Sequence, residues 1–324
     1  MIDYKIGDCL ELMKGLEPDS VNLAILDPPY YKIVGDDWDH QWKTLQDYID
    51  WLETVLIEVK RVLKDNGSLY IFGDDKTIAY VQVMADKHFT FLNNLVWYKR
   101  NNMTLKWAQN NRRFTPCSER LLFYSAGREG DVTGRETIYN EKDCFESIKG
   151  YMRRERKKCM EENGFKTVEE FNIYIREVTH TKSVVDRHYF ADSQYCFPTS
   201  ELYELMQKTG FFRREYEELR REYEELRRPF NYRPGVYEVF DVPIIGGKDN
   251  TEHSTTKPTE LIKTLIECAT NSGNTVLDPF LGSGTTLRAC RETDRDCIGF
   301  EKDSKYEEII KERALINVPE LSSY

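Results

Sequence analysis

Four consecutive residues, Asp27-Pro28-Pro29-Tyr30, combine the groups needed to hold and activate an amino nitrogen. An amino group conjugated to an aromatic base is a poor nucleophile, because its lone pair is delocalised into the ring. Two acceptors that grip both of its hydrogens favour a pyramidal nitrogen and aim the lone pair outward. Asp27 offers a carboxylate, and Pro28 offers a carbonyl with no N–H to compete. Pro28 and Pro29 each hold the residue before them in extended geometry, which keeps the acceptors in place. Tyr30 adds a π-face on which a base or a cationic sulfur could rest. The plainer alternative is a strand stopped by prolines and followed by a surface turn, and four residues alone do not decide between the two.

A second constellation is Asp278-Pro279-Phe280-Leu281-Gly282-Ser283-Gly284-Thr285-Thr286. Glycines between a strand and a helix let the backbone approach a ligand and present amide N–H groups at the helix N-terminus. A phosphate-binding loop would need lysine after the last glycine, and Thr285 stands there instead. Glu301, at the end of the next predicted strand, fits an acceptor for ribose hydroxyls. A lone Gly-x-Gly would ordinarily be read as a tight turn with a solvated acid nearby. Its presence in one chain with Asp-Pro-Pro-Tyr changes that balance.

Together these segments resemble the amino-group DNA methyltransferases. Asp27–Tyr30 resembles their catalytic motif and Asp278–Thr286 their cofactor loop. The order, catalytic motif first and cofactor loop near the C-terminus, resembles the permuted beta class. His253-Ser254-Thr255-Thr256-Lys257-Pro258 is similar to that class's His-Pro-Thr-Gln-Lys-Pro element, departing from it at Ser254 and Thr256. Gly7-Asp8-Cys9 resembles the element whose acid meets the cofactor adenine. The stretch from Arg112-Arg113-Phe114 to Glu119-Arg120 resembles the loop whose aromatic covers a flipped base. The resemblance covers roughly 1–127 and 250–316.

The resemblance implies a transferase that moves a methyl group from S-adenosylmethionine to N6 of adenine in double-stranded DNA, reaching the base by flipping it. Asp27, Pro28, Pro29 and Tyr30 would be catalytic, with Tyr30 and Phe114 stacking on the base. Asp8, Cys9, Asp27, Lys257, Pro258, Asp278, Pro279, Phe280, Gly282, Ser283, Gly284, Thr285, Glu301 and Lys302 would hold the cofactor. N4 of cytosine is the alternative target, although members acting on cytosine more often carry Ser in place of Asp27. Methylation of a glutamine side chain fits the permuted order and the basic insert less well. A non-catalytic DNA-binding module that kept the fold is the alternative of another class. A second copy of the chain and a cognate restriction endonuclease are the further partners that the resemblance suggests.

These motifs need elements to position them. The apolar run Val21–Leu26 predicts a buried parallel strand ending at Asp27. Spacing of Tyr48, Leu52, Val55, Leu56, Val59 and Leu63 predicts a helix over 45–63, ended by Asn66-Gly67, with a strand over 68–72. Helix is expected over 77–87, 258–269, 285–291 and 306–314, and strand over 89–98, 120–125, 274–277 and 297–301. This alternation predicts a doubly wound, mostly parallel, seven-stranded Rossmann-like sheet in an α/β core. The rhythm lapses over 128–248, which reads as an inserted target recognition domain between core halves 1–127 and 249–324. Within it Arg213–Leu219 is repeated in type at 220–226. Phe212, Tyr216, Leu219, Tyr223, Leu226 and Phe230 fall on one helix face, with Glu217–Arg221 and Glu224–Arg228 as stabilising pairs. That helix is expected to be structural, its tyrosines packing rather than stacking on bases.

The net charge of −10 over 324 residues does not by itself argue against a nucleic-acid partner, because the charge is segregated. Lys99, Arg100, Lys106, Arg112 and Arg113, and in the insert Arg153 and Arg154, are candidates for phosphate contacts. The eight cysteines lack metal-ligand spacing and read as reduced thiols, with no metal site. No apolar run reaches membrane-spanning length and no secretory signal is visible at Met1–Lys5, so a cytoplasmic protein without membrane contact is expected.

Overall fold

The computed structural model describes residues 1–31, 41–100, 112, 114, 116–127, 146–180, 189–190, 196–231, 233–244 and 256–315. The chain divides into two compact units, one formed by Met1–Val132 with Arg228–Tyr324, the other by Thr133–Arg227.

The first unit is built on one sheet. Its strands are β1 (Ile2–Ile6), β2 (Val21–Leu26), β3 (Leu63–Gly73), β4 (Thr90–Tyr98), β5 (Ser118–Ser125), β6 (Val239–Asp241), β7 (Thr275–Asp278) and β8 (Asp296–Glu301), in the spatial order β1-β8-β7-β2-β3-β5-β4-β6. The neighbours from β1 to β3 are parallel; β5 runs antiparallel to both β3 and β4. Seven strands were expected and eight are present among the described residues. The extra one is β6, three residues long, which pairs parallel with the edge of β4.

Every residue of β2 is buried, as a central strand covered on both faces requires. Its side chains alternate between two cores. Ala24 and Leu26 pack with α1 (Cys9–Met13), α2 (Leu45–Val62) and α3 (Ile78–Ala85), while Leu23 and Ile25 pack with α8 (Thr259–Ala269), α9 (Thr285–Glu292) and Ile310 of α10 (Glu307–Leu315). The helix α2 starts at a capping box in which Thr44 and Asp47 satisfy each other's backbone N–H groups, a device contributing about 1 kcal/mol.

The second unit is helical: α4 (Glu146–Asn163), α5 (Val168–Thr179), α6 (Ser200–Gln207) and α7 (Tyr216–Leu226) enclose a core that includes Ile148, Met152, Phe171, Phe190, Tyr203 and Phe212. The repeated segment forms α7, with Leu219 buried and Tyr223 stacked on Phe197 at 4.6 Å. Its tyrosines pack, as expected. Its ion pairs differ from those anticipated: Arg214 reaches Glu218 and Glu222, and Glu224 is met by Arg220 and Arg227. Phe212 and Phe230 lie beyond the helix ends. This compact unit stops at Arg227 rather than at 248, because the chain after it returns to the sheet: Asn231 bonds to the end of α8 and β6 joins β4.

Among the described residues no helix is long and apolar enough to cross a membrane, and no group of three or more His, Cys, Asp or Glu side chains could hold a metal ion.

Candidate active site

The topology places chemistry at one edge. Strands β1, β8, β7 and β2 are parallel neighbours, so their carboxyl ends lie side by side and deliver Asp8, Glu301, Asp278 and Asp27 to the same rim. That rim is where open α/β sheets bind ligands. Because β5 runs the other way, its beginning reaches this rim too: Arg120 pairs with Gly73, the last residue of β3, and puts Glu119 one step beyond it. The carboxyl end of β4, opposite the start of β5, brings Lys99. A cavity of about 750 Å³ opens there, lined both by Asp27–Tyr30 and by the glycine turn from Asp278 to Ser283.

At one corner of the cavity two carboxylates share two donors. The Tyr30 hydroxyl donates to Asp27 Oδ1 at 3.0 Å and has Glu119 Oε2 at 3.4 Å as its other acceptor in reach. The Lys257 Nζ donates to Asp27 Oδ2 at 2.6 Å and lies 3.4 Å from Glu119 Oε2. Lys99 pairs with the other oxygen of Glu119. Burial alone would push Lys257 toward neutrality, but Asp27 and Glu119 outweigh it and hold the ammonium above its ordinary pKa. Burial would likewise raise Glu119, and Lys257 and Lys99 together keep it below the usual carboxylate range. Burial and the adjacent carboxylates push the Tyr30 hydroxyl well up, so it remains a donor. Lys257 also lies 5.6 Å from the Tyr30 ring centroid and 5.0 Å from that of Phe72, distances at which aromatic faces attract a cation.

The glycine turn is closed by its own residues. Asp278 Oδ1 accepts from the Phe280 N–H at 3.0 Å and Oδ2 from the Thr286 hydroxyl at 2.5 Å. Burial pushes its carboxyl up to about 7, against those two hydrogen bonds. Glu301 accepts from the Gly282 and Asp303 N–H groups at 2.7 and 2.8 Å, and burial raises it as well. Gly284 caps α9 with a φ of 81°, a conformation that costs an L-residue about 1–2 kcal/mol. Beneath the turn, Arg313 of α10 donates to the hydroxyls of Ser283 and Thr285 at 3.0 and 2.7 Å. At the far end Asp8 caps α1 and lies 3.6 Å from Lys302. The Cys9 thiol is buried, which pushes it up to about 12. Between the ends, the rings of Trp51 and Phe280 meet at 5.8 Å, tilted by 58°. The residues fit an elongated ligand with a flat ring, hydroxyl groups and a charged end.

Of the residues expected at the site, Asp8, Cys9, Asp27, Pro28, Pro29, Tyr30, Lys257, Asp278, Pro279, Phe280, Gly282, Ser283, Thr285, Glu301 and Lys302 line this one cavity. Pro258 and Gly284 do not; they are the N-cap residues of α8 and α9. Phe114 is fully exposed and is not among the residues that line the cavity.

The basic candidates lie in different surroundings. Lys99 is spent on Glu119 and the Trp97 ring, and Arg100 makes a two-pronged pair with Asp241 of β6. Arg112 and Arg154 are exposed, while Arg153 donates to the Phe190 carbonyl within the second unit. Lys106, Arg113 and the His253–Thr255 part of the third motif lie outside the described residues. The sequence reading missed Glu119, Trp51, Phe72 and Arg313 as site residues. For Glu119 the signal was present: a single acid inside a run of seven basic residues.

A family model described as DNA methylase matches residues 21–312. The chain is 26% identical over 306 residues to the DNA adenine methyltransferase YhdJ of Escherichia coli (strain K12), covering 93% of this chain and 78% of that protein. It is 24% identical over 322 residues to the type II methyltransferase M.HinfI of Haemophilus influenzae, covering 95% of this chain and 66% of that protein's length. Among solved structures it is similar to the PvuII DNA methyltransferase (cytosine-N4-specific), with a TM-score of 0.56, 15% identity and coverage of 97% and 86% of the two chains. It is also similar to the M1.HpyAVI–SAM complex, with a TM-score of 0.55, 18% identity and coverage of 98% and 100%.

Proposed function

Because this chain belongs to the DNA methylase family, we propose that it methylates the exocyclic amino group of a base in duplex DNA, N6 of adenine, with S-adenosylmethionine as donor. The observation that carries the reading is one cavity lined by both the Asp27–Tyr30 corner and the glycine turn. When bound, S-adenosylmethionine supplies a methyl group whose transfer leaves the accepting nitrogen positively charged until a proton departs. Gly282, Ser283, Phe280, Trp51, Asp8 and Glu301 are the residues that would hold it.

The chain's own groups have separate tasks. The Asp27 carboxylate and the Pro28 carbonyl accept from the amino hydrogens and hold the nitrogen lone pair away from the ring. The charge of Asp27 offsets the positive charge that develops on the nitrogen; such pre-placed groups contribute most to catalysis in a site shielded from water. The Tyr30 ring supports the base. Asp27 is not required as a general base, because the proton can leave after methyl transfer. A base reaches this corner only by leaving the helix stack, at a cost of a few kcal/mol. The second unit, Thr133–Arg227, is the proposed target recognition domain.

Cytosine N4 is the second reading, and it is favoured by the similarity to the PvuII enzyme, whose name carries that specificity. The two are separated by incubating the protein with labelled cofactor and mixed-sequence DNA, digesting to nucleosides and identifying the product. N6-methyladenine is expected. N4-methylcytosine would overturn the base assignment, and DNA binding without transfer would point to a non-catalytic module.

A further inference from the structure

Asp27, the acceptor on which the proposed chemistry depends, is paired with a cation. Lys257 Nζ sits 2.6 Å from its Oδ2. An amino hydrogen approaching that oxygen meets an acceptor already committed to a charge-assisted hydrogen bond. An amino nitrogen that becomes positively charged would also face an ammonium directly across the carboxylate. Lys257 cannot simply swing into solvent, because its side chain is only 8% exposed. The second carboxylate within reach is Glu119, 3.4 Å away and itself 13% exposed. Lys99 anchors the far oxygen of Glu119, so that this second carboxylate stays where it is while Lys257 moves. Tyr30 is built the same way, with Asp27 at 3.0 Å and Glu119 at 3.4 Å from one hydroxyl. Both donors on Asp27 therefore have the same alternative partner, slightly farther off.

We infer that Lys257 and Glu119 form an exchange pair: Lys257 holds Asp27 until a target amino group arrives and then moves onto Glu119, releasing Asp27 to the amino hydrogens. Glu119 is a positioning residue in this scheme, and Lys257 a displaceable counter-ion. The inference rests on the function proposed above and names the device that readies its acceptor. It also accounts for a charge arrangement with no other evident purpose, two carboxylates and two lysines in a largely buried corner. Such an arrangement costs desolvation that apolar packing would not.

The test uses the full chain, with turnover at saturating DNA and cofactor affinity by equilibrium dialysis. Glu119→Gln should lower kcat by roughly 30-fold, since Asp27 is then the charged partner left to Lys257, while the cofactor Kd changes less than about threefold. Adding Lys257→Met to Glu119→Gln should restore at least about fivefold of the lost rate, the signature of two coupled residues. A purely structural Glu119 would instead give losses that multiply, and that result, or a Glu119→Gln kcat within about threefold of wild type, overturns the exchange. Lys257→Met alone should keep at least about a tenth of the wild-type kcat; a deeper loss overturns the displaceable role even if Glu119→Gln does not fold. Wild-type transfer is measured first. Its absence on any DNA would sink the proposed function itself, whereas wild-type transfer with an indifferent Glu119→Gln sinks the exchange alone.

Discussion

Asp27 and Asp278 end adjacent parallel strands, β2 and β7, and each is followed by proline, yet their carboxylates live differently. Asp278 is 5% exposed and bonded to Phe280 of its own turn and to Thr286 in the first turn of the helix that follows. The side chain of Asp27 is 25% exposed, and its partners are the side chains of Tyr30 and, from 230 positions away, Lys257. One acid is a latch that shapes a turn. The other keeps its hydrogen-bonding capacity for groups that can be exchanged. Position in the sheet and the Asp-Pro dipeptide are common to both, so the difference arises in the residues beyond that dipeptide.

The hardest blow to this contrast is Asp27→Ala. If Asp27 is the exchangeable acceptor, its loss removes the charge facing the reacting nitrogen, and kcat should fall by about 10²–10³, the scale seen when a pre-placed stabilising group is removed. Cofactor affinity should stay within severalfold, because the turn of Asp278 is intact. Labelled-methyl transfer and equilibrium dialysis read the two quantities separately. Near-normal turnover would mean that Asp27 is a strand cap like any other.

Asp278→Asn tests the other half through pH. The carboxyl of Asp278 is raised by burial from an ordinary 3.8 to about 7. Between these values the folded chain holds a proton that the unfolded chain has lost, so the stability of the wild type falls as pH rises across the window. At about 1.4 kcal/mol per pKa unit the effect is on the order of a few kcal/mol. Asn carries no such proton, so its denaturation midpoint should gain on that of the wild type from about pH 4 to pH 7. Parallel curves for the two proteins would refute a protonated latch.

The same contrast explains what the sequence made legible. The turns were readable because their residues are neighbours: a buried apolar run ending in Asp-Pro-Pro-Tyr, and a strand, glycines and a helix in succession. Glu119 and Lys99 were not, since their meeting with Asp27 depends on β5 running antiparallel and on register across the sheet. Local composition put Lys99 and Arg100 in a basic run aimed at phosphate, while tertiary pairing gave each an acid, Glu119 and Asp241. β6 was missed because three residues at a sheet edge carry too little alternation to be seen. In the helical unit the periodicity of α7 held but its ion pairs did not, since several glutamates and arginines lie within reach of one another on the helix surface.

The finest test concerns a single N–H. In the glycine turn the residue two places after Asp278 is Phe280, whose amide closes the turn onto the Asp278 carboxyl at 3.0 Å. Two places after Asp27 stands Pro29, which has no N–H to give. An aspartate readily takes a hydrogen bond from the backbone two residues on; at Asp27 that bond cannot form, and the carboxylate is left for Tyr30 and Lys257. Pro29→Ala restores the missing donor while keeping Pro28 and its carbonyl. The new amide should capture Asp27 part of the time and lower kcat by roughly threefold to tenfold, about 1 kcal/mol, as one competing backbone hydrogen bond would. A more flexible corner would lower stability too, so the denaturation midpoint is tracked alongside. Pro29→Gly supplies the same N–H with a looser backbone and should lose at least as much. If both variants turn over like the wild type, the second proline is only a stiffener, and the difference between the two aspartates must be sought in Lys257 and Glu119 instead.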